Sequence, residues 1–225
     1  MTDTPFKGLN PYSEADAKIF FGRKDLRESI IDNLKVRRLT LFHGASGVGK
    51  SSVLRAGVAY ALRQETKKNL EKYQTPRSVV VVFPPDPPAE AAANSSDMSY
   101  AFWRDDPLTA LKQQIEADIQ KSIATLQSPQ ADLSLVETLK AWTEGFNDQA
   151  GCGELFIILD QFEEFFVYHP QQIKESNSQE VEESNFVIEF AQAVNHADLH
   201  VNFLISIRSD SLFRLDRFQE YSDPK

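Results

Sequence analysis

The segment from Gly44 to Ser51 reads Gly-Ala-Ser-Gly-Val-Gly-Lys-Ser and matches the pattern G-x-x-x-x-G-K-[ST] in full. Glycines let the backbone curl so that successive amide N–H groups point at one phosphate, and a helix that begins at Lys50 adds its positive dipole end. We therefore predict a phosphate-binding loop in which Lys50 contacts the β and γ phosphates and Ser51 gives an oxygen to Mg²⁺. The residues predicted to contact the nucleotide here are Gly44, Ser46, Gly47, Val48, Gly49, Lys50, Ser51 and Ser52.

A second candidate group follows the apolar run 155–159, which leads directly into Asp160. A phosphate loop needs a carboxylate at the end of a neighbouring strand to hold Mg²⁺ through its water shell, so Asp160 is predicted to share the metal with Ser51. Glu163 is the first choice to polarise the attacking water and Glu164 the second, because the turn beyond the strand aims only one of them at the γ-phosphate. In the alternative interpretation, Asp160 caps a helix whose first turn carries both glutamates.

Two arginines complete the candidate site. Arg208 directly follows the apolar run 201–207, which predicts a cation at the sheet edge that senses the γ-phosphate and stabilises transition-state charge. The alternative for Arg208 is a surface ion pair with Asp210. Gly22 and Arg23 precede the first predicted strand, and the hypothesis is that they fold back onto the base and phosphates. The alternative for Arg23 is an arginine at a helix start without a ligand.

The elements that must position these residues are short apolar runs that alternate with amphipathic helices. Continuous apolar strands are typical of a parallel sheet buried on both faces, and right-handed crossovers place helices on both sides of it. We therefore predict an α/β fold of three layers with a mainly parallel sheet. The predicted strands are residues 39–43, 79–83, 155–159 and 201–207. Helices are predicted to begin near Ser13, Lys24, Lys50, Asp106 and Ser134, and a sixth contains Phe186, Phe190 and Val194.

The predicted organisation is an N-terminal helical segment, residues 1–37, that leads into a single core at 38–225. Residues 84–88 read Pro-Pro-Asp-Pro-Pro and are followed by polar, alanine-rich sequence. Because this composition favours an extended proline conformation, residues 84–106 are predicted to form a surface excursion.

The amino-acid composition argues against several classes of protein. The 225 residues carry a net charge of −9, which argues against a free-standing nucleic-acid-binding protein because such a protein needs a cationic face. The single cysteine, Cys152, has no internal disulfide partner, which favours a reducing, cytoplasmic compartment. No apolar run approaches the ~18 residues of a membrane span, and the N-terminus lacks a signal-peptide pattern, so no membrane partner is expected.

Taken together, the motifs resemble the STAND class of P-loop ATPases (signal-transduction ATPases with numerous domains), and within it the branch called novel STAND NTPase 1. Glu163 and Glu164 match the NACHT form of the Walker B motif, whereas AAA+ proteins more often carry an acid where this chain has Gln161. The matching segments are Asn10-Pro11-Tyr12 with Phe20-Phe21-Gly22-Arg23, residues 44–57, residues 159–166, and Ile207-Arg208-Ser209-Asp210.

The resemblance implies a three-layer P-loop NTPase core of the ASCE type that binds Mg²⁺ and ATP or ADP and hydrolyses ATP slowly. It further implies a signalling switch in which ADP/ATP exchange controls self-association and the activation of effector domains, in bacterial defence or stress signalling. The helical lid and winged-helix domain that family members carry after the core are not expected within these residues. The preference for ATP over GTP also comes from the resemblance.

Two alternative functions remain open at this point. One is an initiator-like AAA+ ATPase that acts on DNA, which the segment around Gly22 and Arg23 would suit and the acidic charge disfavours. The other is a scaffold that binds nucleotide without hydrolysing it.

Overall fold

The chain folds around a four-stranded parallel sheet in the order β1-β6-β3-β2, and a separate pair, β4 and β5, is antiparallel. The computed structural model describes residues 11–73, 77–86, 101–124, 126–150, 153–170, 172–173, 181–182 and 184–221. The strands are β1 Leu39–Gly44, β2 Ser78–Phe83, β3 Glu154–Leu159, β4 Gln172–Ile173, β5 Val181–Glu182 and β6 Val201–Arg208.

Helices cover both faces of the sheet, which confirms the predicted α/β fold class with its N-terminal helical segment. None of the helices in the described ranges is long and apolar enough to cross a lipid bilayer. The helices are α1 Lys24–Val36, α2 (residues 50–73), α3 Pro107–Ser122, α4 Leu135–Ala150, α5 Glu163–Tyr168 and α6 Asn185–Asn195, with 3-10 helices at Glu14–Ile19 and Ser209–Tyr221.

The strand register brings the carboxyl ends of the four long strands to one edge. Gly44 at the end of β1 pairs with Arg208 at the end of β6. Leu159 at the end of β3 pairs with Ile205 of β6 on one side and with Phe83 of β2 on the other. Because all of these pairings are parallel, the segments that follow the strands emerge side by side at this edge.

Strands β2, β3 and β6 are buried on both faces and divide the core into two layers, whereas β1 is only partly buried. The first layer packs beneath α1 and α2, so the N-terminal segment, which the sequence places ahead of the core, contributes to it directly. Its fully buried side chains include Leu34, Leu54, Val58, Ile158 and Leu204. The second layer lies on the opposite face and is rich in aromatic rings, including Phe83, Trp103, Trp142, Phe162 and Phe203.

Side-chain caps are present at three of the predicted helix starts. The backbone N–H of Ser13 donates to Asp16 Oδ2 at 2.8 Å, although the helix they open is 3-10 rather than α. Asp106 caps α3 by accepting from the backbone N–H of Thr109 at 3.1 Å. The capping box at the start of α4 is also present, with Ser134 as its first residue. Each cap satisfies backbone donors that the helix itself leaves unpaired.

The helix after the loop differs from its predicted form. The sequence predicts an α-helix over about residues 50–65, but α2 consists of α-helix Lys50–Ser52, π-helix Val53–Ala59 and α-helix Tyr60–Tyr73. All seven residues of the π-helical part are buried. Wider turns of this kind often occur at functional sites, and this one contains the buried Arg55.

The predicted surface excursion over residues 84–106 is wrong at its C-terminal end. Residues 101–104 are helical, and Trp103 is fully buried. Its indole N–H donates to the backbone oxygen of Asp160 at 3.3 Å, and its ring lies edge-on to Phe83 and Phe162 with centroids 4.8 and 5.2 Å away. Burial of an aromatic ring outweighs the polar composition around it. Residues 87–100 lie outside the described part of the chain.

Truncation of Trp103 tests this packing. Trp103→Ala should lower the free energy of unfolding by about 3–5 kcal/mol because it removes a buried ring and leaves a cavity. Urea unfolding followed by far-UV circular dichroism measures the change. Phe213, which is 67% exposed, provides the control, since Phe213→Ala should change stability by no more than about 0.5 kcal/mol. Equal losses in the two variants would contradict the buried position of Trp103.

Candidate functional site

The glycine-rich loop connects the end of β1 to the start of α2. Gly47 and Gly49 have φ angles of +75° and +86°, a backbone conformation that side chains rarely tolerate. Lys50 begins the helix, and its Nζ donates to the backbone oxygens of Gly44 at 3.1 Å and Ala45 at 3.0 Å. The loop therefore curves around the lysine, whose ammonium group lies over the first residues of the loop.

Asp160 directly follows β3 and is buried, with 1% of its surface exposed. Its Oδ1 accepts from the backbone N–H of Gln161 at 3.0 Å, and its Oδ2 lies 3.4 Å from Nε of Arg55. A buried carboxylate needs such partners because the loss of hydration is costly. The alternative in which Asp160 caps a helix does not fit these contacts, since Phe162 is the residue before α5.

The turn between β3 and α5 is strained. Gln161 has a φ angle of +56°, a left-handed conformation that costs a non-glycine residue about 1–3 kcal/mol. The turn is held in place because the backbone N–H of Phe162 donates to the backbone oxygen of Ser206 at 2.9 Å. This arrangement starts α5 at Glu163 and brings its first turn to the ends of β3 and β6.

The two glutamates of α5 occupy different positions. Glu163 Oε2 accepts from the backbone N–H of Arg208 at 3.2 Å. Burial raises the pKa of Glu163, while Lys50 lowers this pKa and Asp160 raises it, so both groups lie within electrostatic range of its carboxylate. The pKa of Glu164 is raised by burial and by Glu163, and Arg208 lowers it. The groups acting on Glu163 thus include both central residues of the candidate site.

Arg208 ends β6 next to the start of the loop, since its backbone pairs with Gly44. Its guanidinium group forms an ion pair with Asp210, and 45% of the side chain is exposed. The alternative interpretation of Arg208 as an exposed ion-pair partner thus describes its side chain in this structure. The backbone of Arg208 nevertheless fixes the carboxylate of Glu163.

The segment that contains Gly22 and Arg23 lies along α2. The backbone N–H of Tyr12 donates to Ser52 Oγ at 3.0 Å, and Phe20 lies against Gly57 farther along the helix. Arg23 is exposed at a cavity of about 170 Å³, which is below the ~300–1,000 Å³ of a typical small-molecule pocket. The cavity is lined by Phe20, Phe21, Gly22, Arg23, Lys24 and Arg27.

Three residues that lie close to Asp160 have no role predicted from the sequence: Arg55, Asp86 and Ser206. Arg55 is buried and joins Asp160 to Asp86, which follows β2. Ser206 lies one residue beyond Ile205, the partner of the last residue of β3. For Arg55 and Ser206 the signal is a polar residue inside an apolar run, Val-Leu-Arg-Ala-Gly-Val and Leu-Ile-Ser-Ile, whereas Asp86 lies in Pro-Pro-Asp-Pro-Pro and has no such signal.

The oxygen atoms at this edge suit a magnesium ion, which prefers carboxylate, hydroxyl and water oxygens. The Ser206 hydroxyl is buried and has no hydrogen-bond partner among the described residues. An unpaired buried hydroxyl beside a buried carboxylate can form a hydrogen bond with a water or a metal-bound water. The Ser51 hydroxyl and the Asp160 carboxylate are suitable protein ligands for the ion. The Ser206 hydroxyl is suited to bind a water next to them.

Comparison with solved structures shows a similar fold in a Walker-type ATPase of Pyrococcus abyssi, with a TM-score of 0.51 and 18% sequence identity. The match covers 96% of this chain and 52% of the other, so this chain spans about half the length of that protein. At this identity the likeness concerns the fold alone. No curated protein matches the sequence.

The family comparison covers nearly the whole chain. Residues 5–223 match the family described as Novel STAND NTPase 1. This match confirms the resemblance drawn from the separate motifs, and it agrees with a parallel sheet that carries a phosphate loop at the end of its first strand. The chain belongs to the Novel STAND NTPase 1 family.

Proposed function

We propose that this chain binds Mg²⁺ and ATP, hydrolyses ATP slowly, and serves as the nucleotide-dependent switch of a signalling protein. The observation that carries the proposal is the position of Glu163, whose carboxylate accepts from the backbone N–H of Arg208, the residue that pairs with Gly44 at the start of the loop. A cation for phosphates, a carboxylate for a metal and a carboxylate for water are the parts that phosphoryl transfer to water requires.

In this proposal the loop binds the phosphates by exchanging partners. The ammonium group of Lys50 leaves the backbone oxygens of Gly44 and Ala45 and contacts the β and γ phosphates instead. The amide N–H groups of residues 46–52 and the start of α2 hold the phosphate oxygens. Bound Mg²⁺ supplies charge neutralisation at the β and γ phosphates, with Ser51 and Asp160 as its protein ligands.

Glu163 is the proposed residue that orients the attacking water. Its carboxylate is held by the backbone N–H of Arg208, and its raised pKa makes it a stronger proton acceptor than an exposed glutamate. Glu164 is the second candidate. The guanidinium group of Arg208 must leave Asp210 before it can contact the γ-phosphate, which is consistent with slow hydrolysis.

The switch itself is inferred from family membership. In this proposal, exchange of ADP for ATP changes the position of the segment around Gly22 and Arg23. This segment packs along the helix that follows the loop. Assembly through the nucleotide-binding domains then activates effector domains of a longer protein, in bacterial defence or stress signalling. Residues that pack against the phosphate-loop helix are suited to this role because any shift of that helix moves them as well.

Substitution of Lys50 tests nucleotide binding. Lys50→Ala should weaken the binding of ATP and ADP in the presence of Mg²⁺ at least tenfold, because the phosphates lose a charged hydrogen-bond donor. Isothermal titration calorimetry measures both affinities. Lys140→Ala provides the control, since Lys140 forms an exposed ion pair with Glu144 and should leave binding unchanged. Equal affinities in wild type and Lys50→Ala would contradict the proposed role of the loop.

Amide substitution of the glutamates tests hydrolysis. Glu163→Gln keeps an oxygen that can accept from Arg208 but removes the base, so kcat should fall by about 100-fold or more while ATP affinity is retained. Glu164→Gln is the matched control and should reduce kcat only a few-fold. Single-turnover release of phosphate from labelled ATP gives the rates. A larger loss in Glu164→Gln would assign the water to Glu164, and measurable turnover unchanged in both would exclude both.

Sedimentation velocity tests the switch. We expect the protein to sediment as a monomer with ADP and as a dimer or larger species with a nonhydrolysable ATP analogue and Mg²⁺. Lys50→Ala should sediment as a monomer under both conditions. If wild type behaves identically with both nucleotides, the proposal that this domain drives assembly is wrong.

A further inference from the structure

Arg55 is a buried arginine that connects three groups at the sheet edge. Its Nε lies 3.4 Å from Asp160 Oδ2, its Nη1 contacts Asp86 Oδ1, and its Nη2 donates to the backbone oxygen of Pro84 at 2.8 Å. Only 8% of the Arg55 side chain is exposed. One side chain of α2 thus ties the residues that follow β2 to the proposed metal aspartate.

Asp160 therefore has two competing positive partners under the proposed function. Without a metal, Arg55 is the cation that balances the buried carboxylate. A divalent ion bound near the same carboxylate repels the guanidinium group, because charges interact strongly where water is excluded. Of the two ion-pair contacts of Arg55, the contact with Asp86 is shorter than the 3.4 Å contact with Asp160.

The charge balance shows why Asp86 matters. Arg55, Asp86 and Asp160 together carry one positive and two negative formal charges, which leaves one negative charge for an added cation. If residue 86 were neutral, Arg55 would balance Asp160 completely, and a cation would have to displace it. Asp86 thus draws positive charge away from the metal site without lying in it.

We propose that Arg55 is a positioning residue that competes with Mg²⁺ for Asp160. Asp86 weakens this competition because it holds the guanidinium group of Arg55 away from Asp160. Mg²⁺ binding shifts Arg55 fully onto Asp86 and the Pro84 backbone oxygen. The occupancy of the metal site is thereby coupled to the contacts that Arg55 makes with the first residues after β2. This inference rests on the proposed function, because it requires Mg²⁺ at Asp160.

A magnesium titration of nucleotide binding tests the inference. The affinity for a fluorescent ATP analogue is measured by anisotropy in EDTA and at increasing Mg²⁺ concentration. Asp86→Asn keeps the shape and one acceptor oxygen of residue 86, whose side chain is 39% exposed, so the protein should fold as wild type does. The Mg²⁺ concentration for half-maximal effect should rise about fivefold or more, the lower end of coupling between linked sites, with unchanged affinity in EDTA.

Two further variants separate this effect from changes in overall charge or packing. Asp86→Glu restores the negative charge and should return the Mg²⁺ requirement towards wild type. Asp105→Asn also removes one charge from an arginine ion pair, with Arg104, and should leave the requirement unchanged. An unchanged requirement in Asp86→Asn, an equal rise in Asp105→Asn, or failure of Asp86→Glu to restore it would each overturn the inference. Wild-type protein that shows no effect of Mg²⁺ on nucleotide affinity would instead contradict the proposed function itself.

Discussion

Parallel pairing of β6 with both β1 and β3 is the constraint on which the candidate site depends. It places the loop after β1 and the carboxylates after β3 at the same edge, about 10 Å apart across the intervening strand. A shift of one residue in the pairing of β3 with β6 would turn Asp160 to the other face of the sheet, and the same shift in the pairing of β1 with β6 would turn the end of β1. The side chains of β3 and β6 are buried on both faces of the sheet and pack against both layers of the core, whereas β1 is only partly buried.

Aromatic packing on the opposite face supports the acidic strand end. The Trp103 indole donates to the Asp160 backbone oxygen, and Phe162 packs among several other rings directly after the turn. Buried neighbours thus hold the strained conformation at Gln161, which an exposed turn would relax. The carboxylates of Asp160 and Glu163 lie at the polar edge of this apolar cluster, where burial strengthens electrostatic interactions.

Sequence reasoning predicted the elements that local chemistry controls. Helices begin near Ser13, Asp106 and Ser134 because side chains there accept from backbone donors within three residues. The four long strands follow from short, mainly apolar runs, and their observed bounds match the predicted ones at four ends and differ by one residue at the other four. The glycine-rich loop is local as well, since its positive φ angles are a property of its own residues.

The sequence by itself determined the α/β fold class, the glycine-rich loop and the acidic strand end, because each depends on neighbouring residues and on burial pattern. Only the tertiary structure decided that Trp103 is buried, that α2 is π-helical in its centre, and that Arg55 joins Asp86 to Asp160. These features depend on contacts between residues up to 105 positions apart in the chain. Such contacts leave no periodic signal, since they exist only once the sheet register has brought distant segments to the same edge.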